Sequence, residues 1–164
     1  MPFKPVQLFA APAFTVLLAC ATLPVQAADT VMDAPVAAPA KTDRIATGRA
    51  AIKAGDWKKA VTELSAAVQS QPGNADAHNL LAFSYRKQAT PDLNKAFEHY
   101  TTALKLNPNH RGAHEYIGEA YLMAKQPAKA EEHLAKLKSI CGGAGCEEYD
   151  DLAKAVAAYK AKNG

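Results

Sequence analysis

Ala96-Phe97-Glu98-His99-Tyr100 and Ala130-Glu131-Glu132-His133-Leu134 repeat one phrase 34 residues apart, and a more diverged copy starts at Ala60. Four residues after the three alanines stand Leu64, Tyr100 and Leu134; seven after stand Ala67, Ala103 and Leu137. Steps of four and seven return to one face of an α-helix, so each copy predicts a helix with a small-then-bulky buried stripe. Upstream, Gly48, Ala82 and Gly118 share a small-residue position, with Ala51, Tyr85 and Tyr121 three residues further on. A second helix therefore precedes each of the first. Pro72 and Pro108 lie twelve residues beyond Ala60 and Ala96 and suit a turn that closes a unit, because proline cannot continue the preceding helix.

The small residues explain the pairing. With nothing larger than a methyl between them, two helix backbones approach closely, and leucine or aromatic side chains fill the gaps between pairs. The turns inside the units agree: Ala54-Gly55-Asp56 in the first and Gln126-Pro127 in the third, with Pro127 placed for a first helical turn. This pattern resembles the tetratricopeptide repeat, a helix–turn–helix unit of 34 residues. Copies fall at about 41–74, 75–110 and 111–144, the second two residues longer, with the surplus in Ala89–Asn94. The first copy is the most diverged, with Arg44, Thr47 and Ala51 at usually larger apolar positions, and the third has Gly142 where a closing proline would stand. The resemblance implies an all-α fold, an α-solenoid of three repeats. A capping helix is expected over 146–162, where Tyr149, Leu152, Val156 and Tyr159 recur at three- and four-residue steps.

The ends of the chain read differently. Lys4, an apolar stretch from Val6 to Leu23 and Val25-Gln26-Ala27 form the pattern of a secretory signal over 1–27, cut after Ala27. Pro12 and Pro24 interrupt the apolar run, which argues against a membrane span. Leu17-Leu18-Ala19-Cys20 offers a second outcome, a lipid anchor at Cys20. Residues 28–42 carry prolines and alanines without apolar periodicity and are expected to be a flexible tether before a domain at 43–162. An exported, periplasmic chain follows as the expectation.

Composition bounds the chemistry. The formal charge of +3, or +2 once Lys4 leaves with the signal, carries no clustered basic face and gives no reason to expect a nucleic-acid partner. There is no Gly-rich phosphate loop, Gly-x-Ser-x-Gly or His-Glu-x-x-His, so neither an enzyme nor a cofactor is expected. Cys141 and Cys146 remain after the signal, and an even pair in an exported chain favours a disulfide. A redox pair or metal site at these cysteines is the alternative, and self-assembly in the envelope is another. His78 and His114 repeat one position, as do His99 and His133, which points to repeat packing more than to a metal site.

By resemblance, the first helices of such repeats line a concave groove that holds peptides or partner proteins. Transferring groove positions by repeat alignment gives Ile45, Arg49 and Ile52, then Asn79, Phe83 and Arg86, then Glu115, Glu119 and Leu122. Phe83 is the expected anchor, since aromatic residues dominate binding hot spots. Only Asn79 matches part of the family's Lys/Asn carboxylate clamp.

Overall fold

The computed structural model describes residues 43–142 and 145–163. The expected signal at 1–27, Cys20 and the expected tether at 28–42 lie outside them. Among the described residues seven helices follow in order: α1 Arg44–Lys53, α2 Trp57–Ser70, α3 Ala75–Lys87, α4 Leu93–Leu106, α5 Arg111–Met123, α6 Pro127–Ile140 and α7 Glu147–Asn163. There is no strand among the described residues. The fold is an all-α solenoid of three helix pairs and a C-terminal helix.

Local signals set the helix ends. Asp43, Asp56, Asn74 and Asp92 each accept a backbone N–H with the side chain at an N-cap, and His110 does so with its ring. Pro127 takes the first position of α6, which lacks a side-chain cap. The turns inside the first and third pairs span 54–56 and 124–126, and that inside the second spans 88–92, so the surplus residues sit in the α3–α4 loop. Gly55 and Lys125 occupy equivalent turn positions at φ 72° and 57°. Glycine meets that demand freely and lysine against its preference.

Ala60, Ala96 and Ala130 are completely buried, as expected of contact points between paired helices. The core is a chain of three clusters, each joining one pair to the next element. Ala51, Ala60, Leu64 and Leu81 link the first pair to α3. Ala82, Ala96, Tyr100, Ile117 and Ala120 link the second to α5. Leu122, Ala130, Leu137, Leu152 and Val156 link the third to α7. The C-terminal helix thus stands where the first helix of a fourth repeat would. Lys160 Nζ reaches Glu131 Oε1 at 2.8 Å to tie α7 to α6, and Cys141 and Cys146, at disulfide-bonding distance with Cα atoms 6.0 Å apart, join the end of α6 to the start of α7.

The small residues on the first helices admit different neighbours. A Cβ on Gly48 would stand 2.5 Å from Leu64 Cγ, on the partner helix of the same pair. A Cβ on Gly118 would stand 2.6 Å from Leu152 Cδ2, on α7. Gly118 therefore admits the cap, whereas its sequence position suggests contact with its own second helix. Gly118→Ala is expected to lower stability by roughly 1–3 kcal/mol, because completely buried Leu152 has little room to retreat. When both variants are unfolded in urea, Gly73→Ala, which meets nothing within 4 Å, should stay within about 0.5 kcal/mol of the parent.

Candidate partner-binding groove

The first helices touch one another, α1 to α3 and α3 to α5, whereas α2 and α4, and α4 and α6, do not. Each second helix also packs on the next first helix, and because first helices approach one another while second helices do not, the pairs curve with the first helices on the inner face, the candidate groove. Phe83 and Tyr116 stand on it from α3 and α5, and Trp57 adjoins them from the start of α2. Trp57 meets Phe83 edge-on with centroids 6.0 Å apart, and Phe83 meets Tyr116 at 4.8 Å. All three rings are half-buried, which leaves part of each to a ligand.

Arg86 is built into this strip. Its guanidinium carbon lies 5.3 Å from the Phe83 centroid and 5.6 Å from that of Tyr116. Nη2 pairs with Glu119 Oε2 at 2.6 Å, and Nε donates to the Tyr100 hydroxyl at 3.3 Å. Arg86 is buried, so it joins α3 to α4 and α5 and is not a free partner contact. Leu122 is buried too and belongs to the core cluster with Leu152 and Val156; α7 packs on α5 and takes the apolar side chain that would otherwise face the groove. Asn79 is buried against Gly112, and its Oδ1 has no hydrogen-bond partner among the described residues. Ile45, Ile52, Phe83 and Glu119 are half-buried, and Arg49 is exposed.

Lys53, Lys87 and Met123 are exposed and share one repeat position, directly after Ile52, Arg86 and Leu122. Extending the alignment by one residue finds them. Lys87 Nζ hangs 5.9 Å from the Phe83 centroid, which places it over the strip. At the other edge Asp76 pairs with Arg49 at 3.6 Å and faces His110 Nε2 at 2.9 Å.

Exposed cations Arg49, Lys53 and Lys87 stand on α1 and α3, whereas α5 carries the carboxyl groups of Glu115 and of Glu119, the latter paired with Arg86. Glu115 is buried, and its carboxyl is pushed up to about 8, first by burial and then by Glu119, Asp151 and Glu148; Arg86 opposes the shift. Its value lies above the unfolded one, so the stability it contributes is complete below pH 4.5 and is lost as pH rises through about 8. Glu115→Gln, which mimics the protonated carboxyl, should therefore match the parent at pH 4 in a denaturation series. At pH 9 it should exceed it by roughly 2 kcal/mol, allowing for the part of the carboxyl that still meets water.

Family models described as tetratricopeptide repeat match residues 45–93 and 89–140. No curated protein sequence matches the chain. Among solved structures, MamA (41-end) from Desulfovibrio magneticus RS-1 is 24% identical, covers 63% of this chain and 57% of its own, and has a TM-score of 0.57. The Sgt2 TPR domain from Aspergillus fumigatus is 21% identical over 73% of this chain and 76% of its own, with a TM-score of 0.63. TTC0263, a thermophilic TPR protein from Thermus thermophilus, is 20% identical over 74% of this chain and 64% of its own, with a TM-score of 0.62. The chain thus spans under two thirds of the MamA and TTC0263 structures, and the likeness concerns the fold. Three helix pairs joined through buried alanines, a cap in the place of a fourth first helix, and family matches running from 45 to 140 lead to one conclusion: the chain belongs to the tetratricopeptide repeat family.

Proposed function

We propose that the protein is an exported, periplasmic adaptor that holds an extended segment of a partner protein in the concave groove. Tetratricopeptide repeats are in general non-catalytic protein–protein interaction scaffolds, and the finer reading rests on the groove itself. The observation that carries it is the pair of half-buried rings Phe83 and Tyr116 on the first helices, joined by Trp57 from the start of α2 and bordered by exposed Lys87. Rigid rings with one edge still wet supply contact area at little entropic cost. Exposed Arg49, Lys53 and Lys87 suit a segment that is acidic where it crosses α1 and α3.

Arg49 and Lys87 are exposed, so reversing both to glutamate leaves the core alone. Cross-linking capture from an envelope extract, with residues 28–164 as bait, is expected to lose at least tenfold in Arg49→Glu/Lys87→Glu. Lys138→Glu, exposed on α6, should capture as the parent does. Equal capture by all three would sink the groove assignment. Export is tested separately: N-terminal sequencing of the chain from a periplasmic fraction is expected to begin at Ala28, and a lipid-modified Cys20 would replace the soluble form with an anchored one.

A further inference from the structure

All three repeats carry a polar rung at the same two positions. Arg44, His78 and His114 stand four residues before Gly48, Ala82 and Gly118, and Glu63, His99 and His133 stand three after Ala60, Ala96 and Ala130. In the first repeat Arg44 Nη1 donates to Glu63 Oε2 at 2.8 Å. In the second, Nδ1 of His78 and Nδ1 of His99 are 3.1 Å apart, and in the third those of His114 and His133 are 2.8 Å apart.

The outer contacts decide the tautomers. His78 Nε2 lies 3.1 Å from the Pro72 carbonyl oxygen, and His114 Nε2 lies 3.0 Å from that of Pro108. A carbonyl only accepts, so both Nε2 atoms carry hydrogen, and in the neutral ring Nδ1 is bare. The facing Nδ1 atoms of His99 and His133 must then donate. Each rung runs from the second helix through the first helix to the turn that closes the preceding repeat. One added proton fits on the free Nε2 of His99 or His133 and leaves the N–H···N bond intact. A second places N–H against N–H near 3 Å with two cations in contact, and no acceptor remains between them.

The surroundings repeat as well. Tyr85 stacks on His99 and Tyr121 on His133, with centroids 5.9 Å and 5.6 Å apart. Lys95 and Lys129 each hold an ammonium 5.1 Å from the centroid of that tyrosine. Among the described residues, His78 on α3 and Glu98 and Lys95 on α4 face His99; Lys136 on α6 and His110 at the α5 N-cap face His114; His114 faces His133. Burial is the leading influence at each. It holds His99 and His114 below the ordinary imidazole value and pushes His133 down to about 4, and Glu98 alone among the charged neighbours favours a proton.

We propose that the His78–His99 and His114–His133 rungs are an acid-sensitive latch. Neutral, they clamp α3 to α4 and α5 to α6; doubly protonated, they release both pairs, while Arg44–Glu63 keeps the first repeat closed. Phe83 on α3 and Tyr116 and Glu119 on α5 project from the released helices, so acid also loosens the groove, a consequence that rests on the partner-binding reading. An unfolded histidine titrates near 6.5, above the folded values. At these histidines the unfolded chain therefore binds more protons between that pH and about 4, and their contribution to stability falls as pH falls through this window, against the opposite slope from Glu115.

The test needs no partner, so it stands or falls apart from the groove assignment. Imidazole nitrogen spectra of the histidine-labelled chain at pH 8 should show the Nε2–H tautomer at His78 and His114 and the Nδ1–H tautomer at His99 and His133. The opposite assignment at either rung overturns the latch. Urea midpoints at pH 7 and pH 4.5 give the second readout. His99→Asn with His133→Asn keeps an N–H donor that does not titrate, and should cut the acid loss of the midpoint at least twofold relative to the parent. Moving the first repeat's rung into the others, as His78→Arg/His99→Glu with His114→Arg/His133→Glu, should cut it similarly if that variant folds. An acid loss equal in the parent and the asparagine variant refutes the proposal.

Discussion

The structure depends on backbone approach at Ala60, Ala96 and Ala130, where no side chain beyond a methyl stands between paired helices. Everything larger is arranged around those points. Leu64 and Tyr100 are completely buried because the alanine one turn earlier in the same helix draws the helices together. No pair encloses its own core, since each cluster recruits the next first helix, and the last recruits α7. The array is stable as a series of shared interfaces, which gives the terminal helix a structural task equal to that of any repeat.

That task explains where the sequence was legible and where it was not. The alanine and glycine spacing exposed the pairs, and the surplus in the second unit pointed to the loop at 88–92, because helix periodicity survives any change outside the packed faces. The groove was only partly legible. Repeat alignment treats equivalent positions as equally open, yet Ile52 is half-buried whereas Leu122 is buried by the cap. Repeat alignment puts Arg86 in the groove; its ion pair with Glu119 and its bond to Tyr100 depend on residues 33 and 14 positions away, which no local pattern reveals. Glu115 is buried for a similar reason, since Glu148 and Asp151 reach it only after α7 folds back.

The inner face thus combines two kinds of charge. Lys87 is exposed and can meet an approaching segment at little cost, as can Arg49 from its exposed pairing with Asp76. Arg86 and Glu119 are already paired beneath the aromatic strip, which fixes the orientation of Phe83 and Tyr116. Preorganised rings over a locked ion pair favour recognition by shape, and the outer lysine and arginine favour encounter.

The polar rungs add a constraint that packing alone does not require. An apolar pair at the Arg44–Glu63 position and its equivalents would hold the helices together without titratable groups. The family's helix-pair logic works through the alanines whether or not a rung is present. Two repeats nonetheless place imidazole against imidazole, each anchored to a prolyl carbonyl and shielded by tyrosine. Such a contact is stable only while at most one proton is shared between the rings, so its strength is set by pH in a way the alanine contacts are not. Because the same rungs also grip the turns that join successive repeats, that dependence reaches the junctions between repeats. The chemistry that holds the helices is therefore coupled, through Pro72 and Pro108, to the turns on which one repeat follows another.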